Sequence, residues 1–410
     1  MNKKPAVWFI LATILIDAIG IGLIFPLMPD LMDRVGAGGA ANGAVWGGVL
    51  MAAYAAMQFL FSPIMGALSD AFGRKPVLLF ALFALALDYV LMALAGTLWL
   101  LVIGRVIAGI AGATHITATA YLADISAPED RAANFGLIGA TFGIGFVLGP
   151  ALGGLLAGIS VTAPFWVAAA LAGLNVVFGL FVLPESLAPE KRRPFTPTDA
   201  NPFATITKIG RLPGVARPLA VLFVFEFANM VYPTLWAFWG RAMFDWSATM
   251  IGASLAAYGV GVALTQTLVL PRLLRWLGDY RVLMVALVTG VLGAIGFGLA
   301  GAAWMVAPIL VVACLSDMTP PVATGLMANL TTEDRQGALQ GVIASLGSLA
   351  AVTAPIIMTP LFRAFAQPEA AVFLPGAPFL FAALLMAGTL PIAASLRPRH
   401  PAGPTASPQA

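Results

Sequence analysis

Runs of about 20 apolar residues follow one another along this whole chain, each long enough to cross the ~30 Å hydrocarbon core of a bilayer as one helix. They fall, with soft edges, at 6–29, 43–66, 76–96, 98–122, 133–158 and 163–184, and again at 217–241, 249–271, 282–302, 304–328, 338–363 and 374–395. That is twelve spans. The runs are too long and too continuous for the ten-residue alternation of a membrane barrel. The first follows Lys3 and Lys4 as a signal peptide would, but it is longer, carries Asp17 and lacks a small-residue cleavage site, so it is read as a helix. The expected fold class is an all-α membrane protein.

Composition agrees. The 410 residues are 60% hydrophobic and only 10% charged, which excludes an ordinary soluble enzyme and a disordered chain. The lone cysteine, Cys314, allows no internal disulfide, and two histidines, His115 and His400, leave no His-rich metal site. No metal and no cofactor is expected. There is no long basic stripe for a nucleic acid. There is also no G-x-x-x-x-G-K-[ST] phosphate loop, H-E-x-x-H pair or nucleophile elbow, so neither ATP use by that route nor an enzyme is expected.

Orientation follows from Lys and Arg. With the N-terminus inside, one side collects Lys3, Lys4, Arg74, Lys75, Arg131, the cluster from Lys191 to Arg217, Arg272, Arg275, Arg281, Arg335, Arg397 and Arg399. The other side holds only Arg34, Arg241 and Arg363. Both termini are therefore expected in the cytoplasm, which suits an even number of spans. Segment 185–216, with PESLAPEKRRPFTPTDANPF, reads as a cytoplasmic linker between an N-terminal six-helix bundle (1–184) and a C-terminal one (217–396). Residues 397–410 read as a disordered tail.

A shift of 205 residues lays one half over the other. Gly73 falls on Gly278, Val77 on Val282, Trp99 on Trp304, Gly136 on Gly341 and Pro150 on Pro355. PEDRAANFG (128–136) matches TEDRQGALQG (332–341) with a one-residue slip. Matches in the rarer residues at one offset favour an internal duplication.

The loop between the second and third runs reads Gly66-Ala67-Leu68-Ser69-Asp70-Ala71-Phe72-Gly73-Arg74-Lys75-Pro76. Its glycines permit a tight turn, Asp70 is placed to pair with a cation or cap a helix start, and Arg74 and Lys75 hold the loop inside. This loop resembles the G-x-x-x-D-x-x-G-R-K-P signature of the major facilitator superfamily, whose two six-helix halves are related by duplication. The copy at 271–283 keeps Gly278 and Arg281 but has Arg275 where the first has Asp70. A gating role is expected of Gly66, Asp70, Gly73, Arg74 and Lys75. The opening helix, Leu15-Ile16-Asp17-Ala18-Ile19-Gly20-Ile21-Gly22-Leu23-Ile24-Phe25-Pro26, is similar to that of tetracycline exporters in the drug:proton antiporter branch. So are Asp88-Tyr89, Gly104-Arg105-Val106-Ile107-Ala108-Gly109, Tyr121-Leu122-Ala123-Asp124-Ile125 and Leu183-Pro184-Glu185-Ser186. Ile251-Gly252-Ala253-Ser254-Leu255-Ala256 and Gln336-Gly337-Ala338-Leu339-Gln340-Gly341 extend the likeness across the chain. Gly145-Phe146-Val147-Leu148-Gly149-Pro150-Ala151-Leu152-Gly153 resembles the branch's antiporter motif, implying a hinge at Gly145, Gly149, Pro150 and Gly153.

Charge inside the membrane costs on the order of 3 kcal/mol, so it marks function. Asp17, Asp88, Arg105, Glu226 and Asp317 lie within the runs and are the candidates for proton coupling; a static structural ion pair is the alternative role for Arg105. Arg105 keeps its charge at any accessible pH, and Asp17 or Asp88 is its expected partner. A substrate cavity is expected to use Asp17, His115, Phe225, Glu226, Asn229, Gln266 and Asp317. Glu226 sits among Phe223, Phe225 and Phe227, where a cationic or aromatic ligand can stack. Asp317 precedes Met318-Thr319-Pro320-Pro321, which predicts a broken or bent helix.

The likeness weakens in the second half. The tetracycline exporters carry an acid in span 9, where Val288-Thr289-Gly290 stands, and a His in span 8, where Gly261-Val262-Ala263 stands; Gln266 does match. The expectation is a monomeric, proton-coupled exporter of a drug or amphipathic small molecule in the bacterial inner membrane, surrounded by lipid. A proton-coupled importer or a metabolite facilitator is the alternative.

Overall fold

The computed structural model describes residues 4–112, 114–127, 130–195, 214–332 and 335–397. Much of the expected linker and nearly all of the expected tail lie outside the described residues. The first half of the chain runs α1 (Lys4–Ile24), α2 (Met28–Arg34), α3 (Gly39–Phe72), α4 (Arg74–Leu94), α5 (Leu98–Ala111), α6 (Thr114–Ile125), α7 (Arg131–Ala157) and α8 (Ala163–Val182). The second runs α9 (Ala216–Asn229), α10 (Val231–Phe244), α11 (Ala248–Leu264), α12 (Leu270–Leu299), α13 (Val306–Ser316), α14 (Thr319–Asn329), α15 (Gln336–Ala366) and α16 (Ala377–Ala394).

Among the described residues, 11 helices are long and apolar enough to cross a membrane. One, Ala248–Leu299, has 52 residues and would be about 78 Å long if straight, more than twice a bilayer core. It is not straight. Gly278 interrupts it at φ 74°, ψ 164°. Gly73, 205 residues earlier, takes φ 108°, ψ 157° between α3 and α4, so both positions turn the chain in a region that favours glycine.

The helix breaks repeat as well. A short tight helix at Phe25–Leu27 separates α1 from α2, and Met230 separates α9 from α10. Gly112 ends α5, and Asp317 ends α13. Phe25 and Met230, and Gly112 and Asp317, are each 205 residues apart. The predicted break beside Asp317 is present, but it falls at Asp317 and Met318, before the two prolines, which sit in the first turn of α14.

α1 packs along α7, α3 along α5, and α4 along α8; α12 packs along α16. Helices of the two halves meet as α3 with α15 and as α7 with α11. Close approaches between the halves cluster at the face that carries Gly38. A Cβ at Gly47 would lie 2.9 Å from the Phe238 ring, one at Gly48 2.7 Å from Thr359, and one at Gly154 2.7 Å from the Ala248 carbonyl. Arg241 pairs there with Asp30. The core beneath is aromatic: Trp236 stands edge-on to Phe297 at 5.0 Å and donates its indole N–H to Ser254 Oγ at 2.8 Å. Leu174, Phe181, Val311 and Leu384 point outward, as side chains facing lipid must.

Candidate functional site

A cavity of about 700 Å³ lies among α1, α3, α6 and α7. Asp17 and Ile21 of α1, Tyr54, Gln58 and Ser62 of α3, and Phe142 of α7 are among the residues that line it, with Gly112, Ile116 and Thr119. The spacing 54, 58, 62 puts three polar side chains on one stripe of an otherwise apolar helix. Asp17 is buried and makes no hydrogen bond or ion pair among the described residues.

The neighbouring acid is spoken for. Arg105 pairs with Asp88 through Nη2 and Oδ2, and both are buried. Of the two expected partners, the structure selects Asp88. Two features make this contact. A Cβ at Gly104 would stand 2.6 Å from Asp88 Oδ1, so only glycine there lets α4 and α5 bring the carboxylate and guanidinium together. The Arg105 guanidinium also lies 5.8 Å from the Tyr54 ring centre, a cation–π distance. Asp88 Oδ1 and Arg105 Nε have no hydrogen-bond partner among the described residues. Tyr89 occupies the space that a side chain at Gly20 would need, one turn beyond Asp17. Asp17, Asp88, Arg105, Tyr54 and Tyr89 thus form one electrostatic group.

In the second half, Tyr258 of α11 donates its hydroxyl to Asp317 Oδ2 at 2.5 Å, and the two tyrosine rings of 232 and 258 stack at 6.2 Å. Glu226 lies within electrostatic reach of Asp317 and makes no hydrogen bond or ion pair among the described residues. Asn229 Oδ1, one turn on, is buried without a partner. Phe225 departs from expectation: it is fully buried in the apolar core, because it lies one position round the helix from Glu226 and faces the neighbouring helices. Gln266 is exposed, within a wide π-helical turn at Thr265–Val269. None of Glu226, Asn229, Gln266 or Asp317 lines the 700 Å³ cavity. The side chain of His115 is outside the described residues.

At the Gly73 face the signature loop is tied into a charged corner. Arg74 Nη2 meets Asp70 Oδ1 at 2.6 Å and Nε meets Asp124 Oδ2 at 3.1 Å; Nη1 donates to Ser69 Oγ. Lys75 Nζ donates to the Leu180 carbonyl at 3.0 Å. Of the two roles open to Asp70, it takes the cation-pairing one. The helix start is capped instead by Glu185, whose carboxylate accepts the Arg74 and Lys75 backbone N–H groups at 2.9 and 3.3 Å. Gly66 is the least engaged of the loop residues; its carbonyl accepts from Ser69 Oγ at 2.8 Å.

The comparisons with known proteins now bear on this geometry. The Major Facilitator Superfamily family model matches residues 10–355. The chain belongs to the Major Facilitator Superfamily. It is a multi-pass membrane transporter, not an enzyme. It is 41% identical over 368 residues to the class C tetracycline resistance protein of Escherichia coli, covering 90% of this chain and 92% of that one. It is 28% identical over 370 residues to multidrug resistance protein 2 of Bacillus subtilis (strain 168), covering 88% and 90%. Among solved structures, the human organic anion transporter MFSD10 superposes with a TM-score of 0.69 at 22% identity, over 96% of this chain and 100% of that one.

In this transporter the glycines expected to form a hinge lie in a close contact between α7 and α1. α7 runs unbroken through Pro150. Cβ atoms at Gly145 and Gly149 would stand 2.9 and 2.6 Å from the carbonyls of Leu15 and Ile19, and one at Gly153 would press on Leu23. The stripe lets α7 lie backbone-to-backbone on the helix that carries Asp17. Sequence reasoning missed Tyr54, Tyr258 and the capping role of Glu185. The polar stripe on α3 was a readable signal for Tyr54. Nothing local marked Tyr258, whose partner is 59 residues away.

Proposed function

We propose that this transporter is a proton-coupled exporter of an amphipathic small molecule, tetracycline-like or multidrug in range, working by alternating access. The carrying observation is Asp17: a buried carboxylate on the wall of a 700 Å³ cavity, with no ion-pair partner among the described residues, beside an Asp88–Arg105 pair that is already neutralised. A carboxylate so placed is free to exchange a proton for cargo. The drug-efflux relatives support the export direction. One proton moving down 100 mV supplies about 2.3 kcal/mol.

On this reading the 52-residue helix is two spans meeting at Gly278, the total is twelve, and residues 1–184 and 217–396 are two six-helix bundles joined by 185–216. Both termini and the Gly73 face are cytoplasmic in the inner membrane, and the working unit is a monomer. The halves, packed at the Gly38 face, part and close against each other to expose and cover the first-half cavity, with the corner of Gly66, Asp70, Gly73, Arg74 and Lys75 as the inner gate. The α7–α1 seam at Gly145, Gly149, Pro150 and Gly153 is the surface on which α7 turns. Asp317 and Glu226 serve as second-half coupling carboxylates.

The test is drug accumulation into inverted membrane vesicles under an imposed pH gradient, with a tetracycline and a panel of amphipathic drugs. Asp17→Asn is expected to abolish gradient-driven movement while leaving drug binding measurable. Gradient-driven transport at the unsubstituted rate in Asp17→Asn overturns the coupling role.

A further inference from the structure

The two turns related by the 205-residue shift share a backbone but differ in charge. The Gly73 corner is closed by carboxylates from its own half: Asp70, Asp124 and Glu185. The same shift turns these positions into Arg275, Asn329 and Leu390. Residues 370–410 contain no Asp or Glu. The Gly278 turn instead carries Arg272, Arg275 and Arg281, all exposed, with Asp279 as the one acid among them.

These cations lack partners. Among the described residues Arg275 and Arg281 make no hydrogen bond or ion pair, and Arg272 Nη1 only folds back on the Leu268 carbonyl at 2.5 Å. A Cβ at Gly278 would touch nothing within 4 Å, whereas one at Gly73 would press on Glu185 and lie 3.1 Å from Arg192. Among the described residues, no carboxylate takes beside Gly278 the place that Glu185 takes beside Gly73. Beside it Trp276 is 76% exposed, with Leu277 next to it. An exposed indole next to arginines at the end of a membrane helix is the chemistry of the bilayer interface, where the ring sits at headgroup depth.

We propose that the Gly278 turn is a binding site for the phosphate headgroup of an anionic phospholipid. Arg272 and Arg275 lie three residues apart on one helix face, and Arg281 approaches from beyond the bend. Together they would hold the phosphate in the place where Glu185 sits in the first-half corner, with Trp276 against the glycerol and upper acyl region. Asp279 opposes this with one negative charge and leaves a surplus of two positive charges on the turn. The inference rests on the proposed function only for naming the inner leaflet; the lipid contact stands or falls separately from proton coupling.

The test is native mass spectrometry of the purified full-length protein in detergent, titrated with dioleoyl phosphatidylglycerol or dioleoyl phosphatidylcholine. The unsubstituted protein is expected to retain phosphatidylglycerol in preference. Arg272→Gln/Arg275→Gln/Arg281→Gln is expected to weaken it by roughly 100-fold, at about one factor of five per arginine, while Arg397→Gln leaves it unchanged. Arg275→Asp, which restores the first-half charge, is expected to weaken it alone, and serves if the triple variant does not fold. Equal retention of the two lipids, or unchanged phosphatidylglycerol binding in both variants, overturns the proposal. Full displacement by soluble glycerol phosphate at matching concentration assigns the site to a free phosphate and overturns it too. Loss of proton-driven transport with lipid binding intact would bear on Asp17 and not on this site.

Discussion

Arg105 reaches Asp88 across the space between α5 and α4, and the side-chain-free surface of Gly104 is what admits the carboxylate. One oxygen of Asp88 and one nitrogen of Arg105 remain unpaired in that contact. The pair therefore neutralises itself but keeps unused hydrogen-bonding capacity within the electrostatic group that contains Asp17.

Removing one member of a buried pair leaves a naked charge, which costs about 3–5 kcal/mol. Arg105→Gln is expected to lower the thermal midpoint in detergent markedly, and Asp88→Asn/Arg105→Gln to recover most of the loss. A double variant no more stable than Arg105→Gln would show that the two residues do not depend on each other.

The Tyr258–Asp317 hydrogen bond predicts non-additivity. Tyr258→Phe removes the donor and keeps the ring stack on Tyr232. Transport by Tyr258→Phe and by Asp317→Asn is expected to fall, and the double variant to fall no further than Asp317→Asn alone. Multiplicative losses, measured as initial efflux rates, would separate the two residues.

Gly149 and Gly143 lie on the same helix with opposite surroundings. A methyl at Gly149 would meet the Ile19 carbonyl at 2.6 Å, and one at Gly143 would meet nothing within 4 Å. Gly149→Ala is expected to destabilise by about 1–3 kcal/mol and to slow efflux. Gly143→Ala is expected to be neutral or slightly stabilising, since alanine favours helix. Thermal unfolding in detergent and drug accumulation into inverted vesicles read both.

Glu185 caps α4 from outside the signature loop. Glu185→Gln keeps one acceptor and loses the charge, which is expected to cost about 1 kcal/mol at that helix end. Faster amide exchange confined to the first turn of α4 is the readout. Unchanged exchange there would deny the cap.

The all-helical membrane fold and the family's loop signature were legible in the chain, because bilayer thickness imposes a length on every apolar run, and the penalty on charge in such a run marked the acids as candidates. Those constraints are local. They placed Asp17, Asp88 and Arg105 at depth without saying which would touch. The choice of Asp88 over Asp17 depends on how closely α4 and α5 pack at Gly104, a distance between segments that no periodicity encodes. Phe225 and Glu226 show the same boundary: adjacent in sequence, they are about 100° apart on a helix, so one enters the core and the other does not. Sequence alone determined that charged residues interrupt the long apolar runs; tertiary packing decided which of them pair, because pairing depends on contacts between helices far apart in the chain.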